Sequence, residues 1–170
     1  MVGKWRSAMI PEIKNIFYAT DLSQNSSYAF LYALDMAQRR DARIVILHAI
    51  EPIPRHILGL KYQFGRRDDE IERIKNGIQR FCGKVEAESC SPCLKFISKI
   101  LVKIGHPVEE ILKTADEESC DVIVLGTHGK GFLAHTFLGS VSYGVLHRAR
   151  KPVFIIPLPP EGTAIGFGEV

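Results

Sequence analysis

The clearest chemical signal in this sequence is a glycine-rich segment, GTHGKGFLAHTFLGS, at residues 126–140. Gly126, Gly129 and Gly139 follow the spacing G-x2-G-x9-G, and Ser140 comes directly after the last of them. Glycine loses more backbone entropy on folding than any other residue, so this density requires a reason. Either the chain only turns here and Ser140 caps a helix, or an anion must approach the backbone closely. We favour phosphate binding, with Ser140 and Ser142 adding hydroxyl donors.

The segment does not match the two best-known nucleotide-binding loops. A Walker P-loop requires G-x4-G-K-[ST], which the chain lacks. The dinucleotide fingerprint requires a third glycine beyond Gly129 and Gly131, and it belongs directly after a first strand. The predicted phosphate site therefore depends on the elements that surround the segment.

Short apolar runs alternate along the chain with longer segments of helical periodicity. Strands are predicted at residues 14–21, 42–50, 94–105, 121–126 and 153–156, and helices begin near Ser23, Asp68, Pro107 and Gly139. Strands joined by helical crossovers are parallel, so the sequence predicts one doubly wound, open α/β sheet of five parallel strands with helices on both faces. Ligands bind such sheets at the carboxyl ends of the strands, where the strand order reverses. The glycine segment lies at such an end, before a helix whose N-terminus suits phosphate.

Finer expectations concern helix ends and faces. Asp69 and Glu72 have capping-box spacing at the start of the second helix. A lysine recurs at every fourth position of the third strand, which suits an exposed edge of a sheet. These lysines are Lys95, Lys99 and Lys103. The last long helix is expected to turn an apolar stripe inward, formed by Val141, Val145, Leu146 and Ala149.

Composition excludes several classes of protein. The 170 residues include 22 basic and 19 acidic side chains, a net charge of +3 that gives no reason to expect nucleic-acid binding. The N-terminus lacks the apolar core of a signal peptide, and no apolar run approaches the length of a membrane span. We therefore expect a cytoplasmic protein with reduced cysteines. We predict one domain over residues 1–157 and an irregular C-terminal tail at residues 158–170, which is a candidate for disorder.

One cysteine pair, Cys90 and Cys93, has C-x2-C spacing. A structural zinc site needs four ligands, so half a motif favours a loop of small residues over a metal site. Completion of a metal site by other cysteines or histidines of the chain remains the alternative.

The glycine segment resembles the nucleotide-binding signature of the ATP-binding branch of the universal stress proteins. Further agreement comes, in order, from FYATDLS at 17–23, LHAI at 47–50, LVKIGHPVEEIL at 101–112 and KPVFII at 151–156. The resemblance covers about residues 12–157. It implies a Rossmann-like sheet of the adenine nucleotide alpha hydrolase type, with strand order 3-2-1-4-5. Asp21 and Gly126 would then flank one crevice, and the third strand would lie at an edge.

The resemblance also implies a site for ATP or AMP, with Mg²⁺ or Mn²⁺ as a candidate companion of the phosphates. Asp21, in the Thr20–Asp21 pair, would lie near adenine and ribose, and the backbone of Ala49 would meet the adenine edge. Ala19 and Leu125 would line the adenosine pocket. The phosphates would be held by Gly126, Gly129, Gly139, Ser140, Val141 and Ser142. Family members often have proline where Ala19 stands and valine where Ala49 stands, and neither change should abolish a pocket.

Some of these residues have simpler explanations. Asp21 could be only a cap for the helix that follows. His128 and Lys130 either touch phosphates or are merely solvated. His48, within an apolar strand, is expected to be a core histidine with a satisfied hydrogen bond rather than a catalytic base.

The function implied is a nucleotide-binding stress-response regulator or sensor that forms a homodimer through its fifth strand and acts on an unknown client protein. Prolines at 157, 159 and 160 leave the dimer mode open. We hypothesise that nucleotide occupancy changes the loop at residues 130–137. A rival interpretation is a slow ATP-hydrolysing enzyme, although no acid or base is obviously placed to activate water. Another is an interaction protein independent of nucleotide, which the intact glycine motif disfavours.

Overall fold

The computed structural model describes residues 11–52, 65–89, 91–129, 138–160 and 166–167. Strands and α-helices alternate along these residues, as the sequence predicts. In chain order they are β1 (Asn15–Thr20), α1 (Gln24–Arg40), β2 (Arg43–Ile50), α2 (Gly65–Ser89), β3 (Ile97–Ile104), α3 (Pro107–Glu117), β4 (Val122–Gly126), α4 (Ser140–Arg148) and β5 (Val153–Ile156). A short 3₁₀-helix, Leu94–Phe96, precedes β3.

The five strands form one parallel sheet of order β3-β2-β1-β4-β5, which confirms the predicted fold. Strand β1 lies between β2 and β4, so the strand order reverses on either side of it. Its pairing with β2 ends at Thr20 opposite His48, and its pairing with β4 ends at Tyr18 opposite Val124. A crevice can therefore open beyond the carboxyl ends of β1 and β4.

Each face of the sheet buries its own apolar layer. One layer lies under α1 and α2, where the Phe30 ring packs 5.3 Å from Tyr18 and 5.4 Å from Phe81, measured between ring centroids. The other lies under α3 and α4 and includes Leu47 and Leu125. Full burial of one such side chain stabilises a fold by about 1.5–3 kcal/mol, so each apolar layer holds its helices against the sheet.

The described residues of the C-terminal tail form no helix or strand, but one of them packs against α2. Phe167 is only 8% exposed, and its ring centroid lies 4.1 Å from that of Phe81 on α2. The idea of a disordered tail is wrong for Phe167, because an aromatic side chain near the chain end completes the apolar layer under α2.

Helix ends bear out one local expectation and contradict another. Helix α1 begins after Ser23, as predicted: Ser23 is its N-cap, and the Ser23 Oγ accepts a hydrogen bond from the Ser26 N–H at 3.2 Å. Helix α2 begins at Gly65 rather than near Asp68, so Asp69 and Glu72 lie inside the helix and form no capping box. Glu72 instead pairs with Lys75 at 2.9 Å.

Strand β3 is an edge strand, as its lysines predicted. Lys95 precedes it in the 3₁₀-helix, so the strand carries only Lys99 and Lys103. Their ammonium groups pair with Glu118 at 2.6 Å and Glu117 at 2.8 Å, at the end of α3. The edge thus carries ion pairs rather than isolated charges.

The expected inward position of Leu146 on α4 is wrong, since this side chain is 50% exposed. Helix α4 packs on α3 through Gly144, where an added Cβ would come within 2.8 Å of Val108 Cγ2. Two residues on, Leu146 projects to the far side of the helix, while Val145 is fully buried. Among the described residues, no helix combines the length and apolar character needed to cross a bilayer.

Candidate functional site

A cleft of about 680 Å³ lies at the carboxyl ends of β1, β2 and β4, facing the first turns of α3 and α4. Every residue singled out as a site residue from the sequence lines this cleft. They are Ala19, Thr20, Asp21, Ala49, Leu125, Gly126, His128, Gly129, Gly139, Ser140, Val141 and Ser142. The structure thus brings the set together, and its role in holding a nucleotide stays a prediction.

Part of the cleft lining is apolar. Leu47, Leu125 and Ile111 are buried in the apolar layer under α3 and α4, and all three also line the cleft. Pro107, at the start of α3, adds to the same wall. A surface of this kind suits a flat apolar ring.

Another part of the lining is the start of α4. Gly139 is its N-cap, and no side chain caps the helix. The first N–H groups of a helix have no intrahelical carbonyl partner, and the helix dipole places partial positive charge there. This end therefore suits an anion, with the exposed Ser140 hydroxyl beside it.

Two donors that the sequence assigned to phosphate close the loop instead. The N–H of Gly139 donates to the Thr127 carbonyl at 2.7 Å. The buried Ser142 hydroxyl donates to the Gly126 carbonyl at 2.7 Å, and a hydroxyl has only one proton to give. Both bonds tie the start of α4 to the end of β4. Ser142 can therefore donate a hydrogen bond to a bound anion only through its backbone N–H.

A tight turn after β1 sets the position of Asp21. Leu22 is in the left-handed region with φ 64°, and its N–H donates to Thr20 Oγ1 at 3.0 Å. The Thr20 hydroxyl lies 2.9 Å from Ser26 Oγ, which itself donates to the Ser23 carbonyl at 2.9 Å. Thr20 therefore donates to Ser26, and a chain of hydrogen bonds fixes the turn.

Asp21 is not the cap of α1, because Ser23 takes that position. The Asp21 Oδ1 oxygen accepts the Ser23 N–H at 3.1 Å, and its Oδ2 faces Gly129 across the cleft. One carboxylate thus connects the end of β1 with the glycine segment after β4.

Tyr18 supports this turn from within the core. Its hydroxyl donates to the Ser26 carbonyl at 2.6 Å. Burial raises the pKa of the Tyr18 hydroxyl far above its ordinary value, so the group remains a neutral donor.

The two histidines of the cleft differ in setting. His48 Nδ1 lies 2.8 Å from the Thr20 carbonyl, and it carries a proton because a carbonyl oxygen can only accept. The expected satisfied histidine is confirmed, although its half-buried ring also lines the cleft. His128 is only 8% exposed, so the interpretation as a solvated loop residue does not hold for it. Lys130 and the loop at 130–137 lie outside the described residues.

Metal ligands do not gather in the part of the chain that the structure describes, where no three His, Cys, Asp or Glu side chains form a possible metal cluster. Cys93 is a buried free thiol against Cys82, and Cys90 lies outside the described residues.

Residues 12–157 match the family model of the universal stress protein family. The chain belongs to this family. A universal stress protein of Thermus aquaticus is 33% identical over 143 residues, which cover 84% of this chain and 98% of that protein.

Two further universal stress proteins are similar in structure or sequence. MJ0577 of Methanocaldococcus jannaschii is 29% identical over 152 residues, covering 84% of this chain and 94% of that protein. Its solved structure gives a TM-score of 0.72 at 26% identity, over 89% of this chain and 100% of that one. A universal stress protein solved in complex with cAMP gives a TM-score of 0.60 at 22% identity, over 88% of this chain and 100% of that one, which shows a shared fold.

Several lining residues of this universal stress protein were missed from the sequence. They are Ser26, Leu47, Glu51, Pro107, Ile111 and Leu138, with His48 assigned only to the core. Side chains alternate along a strand, so Leu47, Ala49 and Glu51 fall on one face. That alternation could have identified Glu51 as a lining residue from the sequence. For Pro107 and Ile111 the signal was their place in the first turns of a crossover helix.

Proposed function

We propose that this universal stress protein binds an adenine nucleotide, ATP or AMP, in the cleft and acts in the cytoplasm as a homodimeric stress-response regulator or sensor. The observation that carries the proposal is that one cleft is lined both by apolar side chains, Leu47 and Leu125 among them, and by the start of α4, which no side chain caps. A relative of the same fold was solved with cAMP, which supports an adenine nucleotide as the ligand.

These two kinds of lining match the two parts of a nucleotide. The adenine ring would lie against the apolar wall, and the phosphates would meet the N–H groups at the start of α4. A charged group near a helix end gains about 0.3–1 kcal/mol from the dipole, so several contacts must act together. Gly129 and Ser140 are candidates for such contacts, because both line the cleft.

A divalent metal enters the proposal only as a companion of the phosphates. Among the described residues the carboxylate of Asp21 faces the glycine segment, and no cluster of three metal-ligating side chains forms. Mg²⁺ or Mn²⁺ would therefore be held mainly by phosphate oxygens, with Asp21 as the candidate protein ligand. Such an ion would neutralise phosphate charge near this carboxylate.

The homodimer is proposed through the exposed edge of the sheet at β5. Large apolar side chains are half-exposed on and around this edge, namely Phe154, Leu158 and, on α4, Tyr143 and Leu146. Exposed strand edges pair readily with other strands, so a second copy is the occupant we propose.

The proposal is tested by heat-denaturing purified protein and identifying any nucleotide released, followed by calorimetry with AMP and with ATP, with and without Mg²⁺. We expect saturable binding to one site per chain. Absence of heat at millimolar nucleotide, for a folded sample, would contradict the proposal. ATP turnover faster than about one per second, the lower end of ordinary enzymes, would favour the hydrolase interpretation instead.

A further inference from the structure

Glu51 follows directly after β2 and lines the cleft, although no motif points to it. Side-chain alternation along the strand places it on the face that carries Leu47 and Ala49, which also line the cleft. Its side chain is exposed, and no hydrogen bond or ion pair joins its carboxylate to another residue of the described part of the chain. A carboxylate that accepts hydrogen bonds therefore stands on the same strand face as the apolar side chain of Leu47.

A second acceptor lies beside it on the backbone of Ala49. The Ile50 carbonyl accepts the Gly105 N–H at 3.0 Å on the β3 side. Successive carbonyls of an extended strand point to opposite sides, so the Ala49 carbonyl points toward β1. The pairing of β1 with β2 ends at Thr20, because the Leu22 N–H donates to the Thr20 side chain rather than to β2. The Ala49 carbonyl thus faces the space beyond β1 that belongs to the cleft.

We infer that Glu51 is a specificity-determining residue that, with the Ala49 carbonyl, selects a purine carrying an exocyclic amine over one carrying an oxygen at the same position. The inference rests on the proposed nucleotide binding and adds to it a reason for the choice of base. The amine of adenine has two protons, one for each acceptor.

A 6-oxo purine cannot make these contacts. Its oxygen accepts hydrogen bonds, and its one donor at this edge of the ring is the N1–H, so it can serve at most one of the two acceptors while its oxygen faces the other. Sites built to bond a polar group of the ligand reject analogues that lack it far more strongly than apolar pockets reject a changed methylene. AMP and IMP share ribose and phosphate and differ at this position, so they form a matched pair of ligands.

The test measures the dissociation constants of AMP and IMP for the full-length protein and for Glu51→Ala and Glu51→Gln. We expect the unsubstituted protein to prefer AMP at least tenfold, and both variants to reduce that preference at least threefold. Glutamine can donate to the oxygen of IMP, so Glu51→Gln should also tighten IMP binding. Removing one negative charge affects both ligands alike, because they carry the same phosphate, and therefore cancels in the ratio.

Glu88→Gln on α2 is the control, since Glu88 is exposed and lies outside the cleft lining. It should leave the ratio unchanged. Circular dichroism and thermal unfolding check that each variant is folded. An unchanged ratio in both Glu51 variants, or equal weakening of AMP and IMP, would overturn the role in base selection while leaving nucleotide binding in place. Failure of the unsubstituted protein to bind AMP would overturn both proposals.

Discussion

Gly129 lies against the carboxylate of Asp21, so closely that a methyl group at position 129 would overlap the Asp21 Oδ2 oxygen. Any side chain at this position would therefore force the Asp21 carboxylate across the cleft to move. Gly126 is different, because an added Cβ there would make only ordinary contact, 3.5 Å from the Asn25 carbonyl oxygen. A turn of the chain does not by itself explain Gly129, because the contact of Gly129 with Asp21 joins the segment after β4 to the residue after β1.

Replacement of Gly129 by alanine should displace the Asp21 side chain and weaken AMP binding at least tenfold. The thermal midpoint should change little, because the neighbouring carboxylate is at the rim of the cleft rather than in the core. Calorimetry and thermal unfolding measure the two effects.

The matched control is Gly83→Ala in α2, where an added Cβ meets nothing within 4 Å. Alanine in a helix interior is favoured over glycine by up to about 1 kcal/mol, so this variant should be more stable and should bind AMP normally. Unaltered AMP affinity in the Gly129 variant would contradict the proposed site.

Replacement of Ser142 by alanine should lower the free energy of unfolding by about 1–3 kcal/mol, because the buried Gly126 carbonyl loses its donor. Urea unfolding measures the change. Ser140→Ala, at an exposed position two residues earlier, should change stability by less than about 0.5 kcal/mol but should weaken nucleotide binding. Equal stability of the two variants would show that the Ser142 bond contributes nothing.

Replacement of Phe154 by aspartate should convert the proposed dimer to a monomer, since it places charge on the exposed β5 edge where this side chain is 47% exposed. Sedimentation measures the mass. Leu94→Asp likewise replaces an apolar side chain with a charged one, at a residue that is 42% exposed near the opposite edge of the sheet. It should leave the mass unchanged. Monomeric behaviour of the unsubstituted protein would rule out this dimer.

Acid should release the contact of Glu86 with the loop before β3. Glu86 Oε2 accepts the Cys93 N–H at 2.6 Å and the Leu94 N–H at 2.9 Å. The Leu94 N–H, and then the Cys93 N–H, hold the pKa of the Glu86 carboxyl below its ordinary value. A depressed pKa contributes stability above the unfolded value of about 4.3, and that contribution is lost as the pH falls through the lower folded value.

The comparison is between the unsubstituted protein and Glu86→Gln. Their thermal midpoints should differ most near neutral pH and converge below about pH 4, the range that follows from the ordinary glutamate value. A difference that stays constant with pH would show that the charge of Glu86 is not involved.

The sequence was sufficient to predict the sheet because its signals are local and repeated. Each apolar run bounded by a helical segment predicts a parallel strand, and Ser23 caps α1 through a bond to Ser26 within the same turn. The strand order, and with it the expectation that the segments ending in Asp21 and Gly126 meet where that order reverses, came from the resemblance to the family rather than from periodicity.

The errors came from contacts between residues distant in sequence. The outward position of Leu146 depends on Gly144 meeting Val108 of another helix. Likewise, the use of the Ser142 hydroxyl depends on a carbonyl at the end of β4. Periodicity along one segment carries no information about which partner a side chain meets.

Phe167 gives this chain a different practical boundary from the one that its family match suggests. The match ends at residue 157, ten residues before the ring that covers Phe81. A chain truncated at that boundary would retain strands β1 to β5 but would expose the Phe81 ring to water. Phe167 belongs to the hydrophobic interior, so the segment that carries it should be kept in any attempt to shorten the protein.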